Sequence, residues 1–255
     1  MKKRIWLFSL IAVLSLIAYF NVWAAPFAES HGALITSNVI HRVFRIRYGQ
    51  QAATAFSIDV DGRQYLVTAK HVLAQLLGKD QIEIFAKGNW SKLLVELVGH
   101  ATEADISVLA ADRRLTPSGL ALEPTSEGLV YSQEVFFLGF PYDILSAYIF
   151  EGEGYPPPLV KKAIVSSFVD RNVFLLDGHN NPGFSGGPVV FRAPGQTDLK
   201  VAGIVSGYKA VNEPVFAGDQ KTQLAYQYNT GIIVVYFIHH ANALIRKNPI
   251  GFKLY

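Results

Sequence analysis

The sequence predicts an all-β fold of two six-stranded antiparallel β-barrels with a short C-terminal helix. Short segments rich in apolar and β-branched residues recur along the chain, separated by Gly, Asp, Asn and Pro. These segments form two series of six, with a polar connection over 116–128 between them. Closed barrels bury their strand edges, and a half-apolar chain of 255 residues is large enough for two of them.

The two series and the helix define one domain, which we place over 41–250. The first barrel, about 41–115, has predicted strands at 41–48, 52–60, 63–68, 81–86, 92–99 and 105–110. The second barrel, about 130–235, has predicted strands at 133–139, 161–168, 172–176, 187–192, 199–206 and 222–235. The helix is predicted over 236–246, with apolar residues near one face and Asn248-Pro249 ending it.

The amino-terminal segment resembles an export signal rather than part of the domain. Three basic residues at positions 2–4 precede an apolar run over 5–20 that only two serines interrupt. Val22 and Ala24 provide small residues at signal-peptidase spacing, so we expect a signal peptide over 1–24 and a linker over 25–40. The alternative is an uncleaved anchor, because the apolar run continues to about the length of a spanning helix.

Charge and composition exclude several function classes. The chain has 23 basic and 20 acidic residues, and three of the basic ones lie in the first 24 positions, so the remainder balances at 20 and 20. A neutral domain offers no electrostatic basis for binding nucleic acid or an anionic membrane. The absence of cysteine excludes disulfides and thiolate nucleophiles. An exported chain without disulfides suits a bacterial envelope, either periplasmic or secreted.

The strongest chemical signal is the segment 178–188, GHNNPGFSGGP, in which Ser185 lies among four glycines and two prolines. Glycine lets the backbone approach a substrate closely and adopt conformations barred to other residues. We therefore expect the N–H groups of Gly183 and Ser185 to form an oxyanion hole.

A serine hydroxyl needs a base, and the base needs an orienting group. His71 follows an apolar strand in YLVTAKHVL, which places its imidazole at a strand end. Asp105 opens DISVLA, where its carboxylate can accept a hydrogen bond from the imidazole and favour its cation. His71, Asp105 and Ser185 are therefore the candidate catalytic residues.

Together these motifs resemble those of trypsin-like serine proteases, especially the bacterial branch that includes the high-temperature-requirement proteases. The matching motifs are T-A-x-H-V at His71, D-I-x-V-L at Asp105, G-F-P from Gly139, G-x-S-G-G-P around Ser185 and G-I-V-S-G from Gly203. Their order, His then Asp then Ser, is the order of that family. The resemblance implies a cofactor-free serine endopeptidase acting on a protein or peptide.

The resemblance also implies how a substrate binds. Ser206 and Gly207 are expected on the edge strand that pairs with the substrate backbone. The pocket for the side chain before the cut bond is expected at 178–183 and these edge residues, with His179 at its base and Tyr208 at its entrance.

Two departures from the family pattern stand out. Phe184 occupies the place where many members have an aspartate that pairs with a newly freed amino terminus. An aromatic ring cannot form that ion pair, so activation by that route is not expected. We also expect no appended PDZ-type peptide-binding domain after the helix, unlike the high-temperature-requirement proteases.

Other functions remain as alternatives. GFSGG also fits the nucleophile elbow of an α/β-hydrolase esterase, with Asp219 and His239 downstream, but the residues after Ser185 predict a strand rather than the required helix. A two-barrel fold can also persist as a catalytically silent peptide-binding module. The His239-His240 pair has no third ligand at helical spacing, so we expect no metal site.

Overall fold

The computed structural model of the protein describes residues 35–116, 121–144 and 154–255. The predicted signal segment and the start of the predicted linker lie outside the described residues. Within those ranges, none of the helices combines the length and the apolar character that crossing a bilayer requires.

The first six strands form the first barrel. They are β1 Val43–Tyr48, β2 Gln51–Val60, β3 Arg63–Thr68, β4 Lys79–Ala86, β5 Asn89–His100 and β6 Ser107–Ala111. The sheet runs in the order β3-β2-β1-β4-β5-β6, and antiparallel pairing of β3 with β6 closes the ring. A short additional strand, β13 Phe252–Lys253, also pairs with β3.

The second barrel is a closed antiparallel ring in the order β10-β11-β12-β9-β8-β7. Its strands are β7 Glu134–Gly139, β8 Leu159–Phe168, β9 Val173–Asp177, β10 Pro188–Arg192, β11 Leu199–Ala217 and β12 Gln220–Phe237. The prediction of an all-β fold with two six-stranded barrels is therefore confirmed.

Three apolar clusters stabilise this arrangement. One fills the first barrel around Ile46 and Leu66, and another fills the second barrel around Phe137 and Phe174. The third joins Phe56 of the first barrel to strands of the second barrel. Burial of such side chains contributes about 1.5–3 kcal/mol each, and the shared cluster places the ends of β3 and β10 beside one another.

In the part of the chain that the structure describes, two α-helices accompany the barrels. The predicted C-terminal helix is present as α2, His239–Lys247, and buries Ala241 and Ile245 in the shared cluster. It starts later than position 236 because β12 continues to Phe237. The segment predicted as a linker up to residue 40 contains the short helix α1, Ser37–Ile40, with Val39 buried.

Strands β11 and β12 run well beyond the barrel, which the sequence did not predict. The predicted strands covered 199–206 and 222–235, whereas the observed strands leave only Gly218 and Asp219 as the turn. We call residues 207–231 the ribbon. It lacks a buried face, so the alternation of buried and exposed side chains that signals a strand is missing there.

Candidate active site

His71 is held just after the end of β3 by a carboxylate from the loop that precedes β6, the strand paired with β3. It lies in a 3₁₀ turn, Lys70–Val72, that starts directly after β3. Its backbone N–H donates to Asp105 Oδ1 at 2.8 Å, and its Nδ1 lies 2.6 Å from Asp105 Oδ2. Two contacts to one carboxylate fix both the position and the orientation of the ring, whose other nitrogen remains available as a base.

Asp105 is the more enclosed member of this pair, with its side chain 15% exposed against 41% for His71. Ser206 Oγ donates a further hydrogen bond to Asp105 Oδ2 at 2.6 Å. Burial acts to raise the pKa of the Asp105 carboxyl, but hydrogen bonds from His71 and Ser206 outweigh it and leave the pKa below its ordinary value. The hydrogen bond to Asp105 also raises the pKa of His71, against the effect of burial.

Ser185 is linked to the same pair through Ser206. Its hydroxyl donates to the backbone carbonyl of Ser206 at 3.0 Å. Among the described residues, this hydroxyl bonds to Ser206 and not to His71. Ser206 thus contacts Asp105 through its side chain and Ser185 through its backbone. Catalytic hydrogen bonds in free enzymes are commonly unformed until substrate binds.

Two carbonyl groups fix the direction of the predicted oxyanion donors. The Pro182 carbonyl accepts from Tyr142 N–H at 3.3 Å, and the Phe184 carbonyl accepts from Gly187 N–H at 2.9 Å. In a trans peptide the N–H points opposite to the carbonyl. The N–H groups of Gly183 and Ser185 are therefore directed away from these partners, and neither donates to another described residue.

Gly183 is required at its position for two reasons. Its φ is +105°, which side chains of L-residues rarely allow, and a Cβ would lie 2.3 Å from the Phe140 carbonyl oxygen. Any larger residue would push the loop away from the segment that follows β7.

Thr54 of the first barrel supports this loop, a role that was not predicted from the sequence. Its N–H donates to the Ser185 carbonyl at 3.0 Å, and its Oγ1 donates to the Gly183 carbonyl at 2.7 Å. The same hydroxyl accepts from Phe140 N–H at 3.1 Å, and Thr54 is fully buried. Thr54 thus ties the serine loop to the first barrel.

Phe184 fixes the loop from below by apolar burial. Its side chain is fully buried and meets the Phe137 ring edge-on, with centroids 4.9 Å apart. Lys161 lies over the Phe184 ring, with Nζ 5.9 Å from the ring centroid. That ammonium donates to the His179 carbonyl and to Asn181 Oδ1, and burial lowers the pKa of Lys161.

Residues of the predicted pocket segment, 178–183, differ in their exposure to solvent. The side chain of His179 is exposed, whereas neighbouring Asn180 is 1% exposed. The Asn180 carbonyl accepts from Asn229 Nδ2 at 2.7 Å, which ties this segment to the base of the ribbon. Gly207 and Tyr208 are half-buried on β11, directly after Ser206.

A cleft of about 640 Å³ adjoins His71. Its wall combines polar and apolar groups and has no Asp, Glu, Lys or Arg side chain; besides His71 it is lined by Tyr48, Gly49, Gln50, Gln51, Val72, Ala74 and Gln75. It gives a polypeptide chain room on the His71 side of the site.

The structure does not support the elbow alternative. Ser185 leads into strand β10, Pro188–Arg192, whereas a nucleophile elbow needs a helix there. Asp219 lies at the tip of the ribbon and His239 opens α2. In the part of the chain that the structure describes, no three metal-ligating side chains form a cluster.

Solved structures share this fold. One is the M. tuberculosis H37Rv protein Rv3671c in the inactive form of its Ser343Ala mutant, with a TM-score of 0.54, 18% identity, and coverage of 89% of this chain and 95% of that one. Another is the serine endoprotease from Yersinia pestis, with a TM-score of 0.53, 20% identity, and coverage of 82% and 63%. A third is the HtrA-type protease AlgW with a tripeptide, with a TM-score of 0.53, 22% identity, and coverage of 83% and 61%. The chain thus spans less than two thirds of the last two.

No curated protein matches the sequence. The sequence profile of the trypsin-like peptidase domain matches residues 53–196, which is more than half of the chain and includes His71, Asp105 and Ser185. The chain therefore belongs to the trypsin-like peptidase family and is a serine endopeptidase.

Proposed function

We propose that Ser185, His71 and Asp105 form the catalytic triad, and that peptide hydrolysis proceeds through an acyl-enzyme on Ser185. The observation that carries this proposal is the continuous chain of contacts from Ser185 through Ser206 to Asp105 and His71. It brings a nucleophile, a base and an orienting carboxylate together at the junction of the two barrels.

The first chemical step follows from these contacts. Asp105 holds the proton of His71 on Nδ1, which leaves Nε2 free to take the proton of Ser185 as Oγ attacks the substrate carbonyl carbon. The N–H groups of Gly183 and Ser185 stabilise the resulting oxyanion. His71 then gives its proton to the leaving amine. Water, activated in turn by His71, releases the acyl group and restores Ser185.

Substrate binding aligns the nucleophile. A substrate N–H that bonds to the Ser206 carbonyl competes with the Ser185 hydroxyl for that acceptor. Once displaced, the hydroxyl turns to Nε2 of His71, so the attacking geometry forms only with peptide bound. Residues before the cut bond pair with β11 from Ser206 to Tyr208, and residues after it occupy the cleft beside His71.

We also propose that the protein is exported. The basic residues at 2–4 and the apolar run over 5–20 support a signal segment, cleaved after Ala24 or retained as an anchor. Either form places the peptidase domain outside the cytoplasm, in the periplasm or beyond.

One observation favours a second candidate, a silent peptide-binding module. The Ser185 hydroxyl is engaged by the Ser206 carbonyl instead of by His71. If that contact persists with peptide bound, the site would hold a peptide without cutting it.

Labelling with a fluorophosphonate probe tests the proposal. The purified full chain should be labelled, and Ser185→Ala and heat-denatured protein should not. Ser91→Ala, which removes the hydroxyl of an exposed serine on the first barrel, is the matched control and should label normally. Absence of labelling in well-folded wild-type protein would favour the silent module.

A further inference from the structure

The ribbon carries an unpaired strand edge that begins at the candidate active site. Strand β10 pairs with β11 from Leu199 to Ile204 only. Among the described residues, no strand pairs with that edge of β11 from Ser206 onward. The open edge thus starts at the residue whose carbonyl contacts Ser185.

Backbone groups face outward along part of this edge. The Lys209 carbonyl accepts from Thr230 Oγ1 of β12 at 2.8 Å, so it faces β12. Successive residues of a strand direct their backbone groups to opposite edges. The pairing with β12 shifts register at Lys209 and is regular from Ala210 to Pro214, so the backbone groups of Ala210, Asn212 and Pro214 share one edge. A proline within a strand lies where its missing N–H would face solvent, which identifies that shared edge as the open one. From Ser206 to Asn212 the edge is about 20 Å long at roughly 3.3 Å per residue.

One face of the ribbon carries exposed apolar and aromatic side chains beside Glu213. Register pairs Val211 with Tyr228 and Glu213 with Tyr226, so these side chains share a face. Val211 is 43% exposed, Tyr226 53% and Tyr228 52%. Soluble proteins usually protect long exposed edges that carry such side chains, because these edges readily pair with another strand.

The charge of the ribbon is balanced. Lys209 and Lys221 are offset by Glu213 and Asp219, so residues 207–231 have no net charge. This suits an uncharged polypeptide segment better than a strongly charged peptide or an anionic surface.

We propose that the ribbon extends the substrate-binding edge to roughly the fourth to ninth residues before the cut bond, which add to β11 as an antiparallel strand. Every second side chain of that segment packs on the face formed by Val211, Tyr226 and Tyr228. This inference rests on the proposed function and names its substrate class: extended chains with about eight or more residues before the cut bond and apolar side chains at alternate positions.

Peptide binding to the full-length Ser185→Ala protein tests the ribbon without requiring turnover. The probes are fluorescein-labelled (Val-Ser)₅, (Val-Ser)₂ and (Gly-Ser)₅, with binding measured by fluorescence anisotropy. Cross-strand pairs contribute cumulatively, so (Val-Ser)₅ should bind about tenfold more tightly than either other peptide. Equal dissociation constants for the three peptides would overturn the proposal.

Two matched pairs of variants locate the binding surface. Asn212→Pro removes an outward N–H that Asn212→Ala keeps, and it should weaken (Val-Ser)₅ binding by about threefold relative to Asn212→Ala. Tyr228→Ser should weaken binding, whereas Tyr131→Ser, at a tyrosine 58% exposed elsewhere, should not. Circular dichroism checks that each variant folds. Equal binding by all four folded variants would overturn the proposal.

The outcomes separate this inference from the proposed function. If the fluorophosphonate labels wild-type protein but the dissociation constant does not depend on peptide length, only the proposal about the ribbon is overturned. Binding that depends on length and on Tyr228, without labelling, supports the ribbon and overturns the proposed hydrolysis. A dimer that dissociates on Tyr228→Ser and binds no peptide would assign the edge to a second copy of the chain, which also overturns the proposal.

Discussion

Ser206 donates its hydroxyl hydrogen to Asp105 at 2.6 Å while its backbone carbonyl accepts from Ser185 Oγ at 3.0 Å. One residue therefore touches both the orienting carboxylate and the proposed nucleophile. Its side chain helps to lower the pKa of Asp105, and in the proposed mechanism its carbonyl holds the Ser185 hydroxyl away from His71 until substrate binds.

Removing the Ser206 hydroxyl should alter the pH dependence of hydrolysis. In Ser206→Ala, Asp105 loses a donor, so its carboxylate holds the proton on His71 more tightly and the already raised pKa of His71 rises further. Because the base acts only when unprotonated, the acid limb of kcat/KM should move to higher pH. Ser206→Thr, which keeps a hydroxyl, should restore the profile, and an acid limb displaced to lower pH would contradict this account.

Thr54→Val should impair both stability and turnover. It removes the hydroxyl that binds the Gly183 carbonyl and Phe140 N–H, at a cost of about 1–3 kcal/mol for buried groups left unpaired. A loosened loop should also lower kcat by about tenfold or more. Urea unfolding and steady-state kinetics measure the two effects, with Thr54→Ser as the control that keeps the hydroxyl. Unchanged kcat in a destabilised Thr54→Val protein would limit Thr54 to a structural role.

Phe184→Ala should destabilise the protein by about 3–5 kcal/mol, because it opens a cavity against Phe137. Phe216→Ala removes a phenylalanine that is 57% exposed and should change the free energy of unfolding by at most about 0.5 kcal/mol. Equal losses in the two variants, measured by thermal and urea unfolding, would show that Phe184 does not anchor the loop.

Lys161→Gln should lower kcat/KM by about tenfold, since it removes the ammonium that holds the His179 carbonyl and Asn181. Burial lowers the pKa of Lys161, so wild-type activity should fall on the alkaline side earlier than an ordinary lysine would allow. That fall should vanish in Lys161→Gln. The neighbouring Lys162, which pairs with Glu134 at the surface, provides the control Lys162→Gln. In that variant, kcat/KM and its fall at alkaline pH should both match the wild-type protein.

The sequence was sufficient for features whose signal is local. Strand β3 was predicted with its observed bounds because a contiguous run of apolar and β-branched residues follows the turn residues Asp61-Gly62. His71, Asp105 and Ser185 could be named as candidates from the sequence because each lies in a short motif. The link from Ser185 through Ser206 to Asp105 depends on the packing of the two barrels, which only the structure describes.

Other features depend on distant partners and leave no local pattern. Thr54 is one polar residue in an apolar strand, and its role exists only because Gly183 lies against it. In the sequence, Lys161 resembles an ordinary surface lysine, because its contact with the His179 carbonyl is visible only in the structure. The outer part of the ribbon has no core face, so nothing in its polarity distinguishes a strand from a loop.

The shared cluster also sets the order in which the protein can be completed during synthesis. The first barrel packs against Ala241 and Ile245 of α2, and β3 pairs with Phe252. These residues leave the ribosome after the whole second barrel. The strand that leads to His71 therefore gains its last neighbours only after the second barrel has been synthesised, and a chain interrupted before Phe252 lacks them. Hydrolytic activity should consequently appear only once the residues through Phe252 have been added.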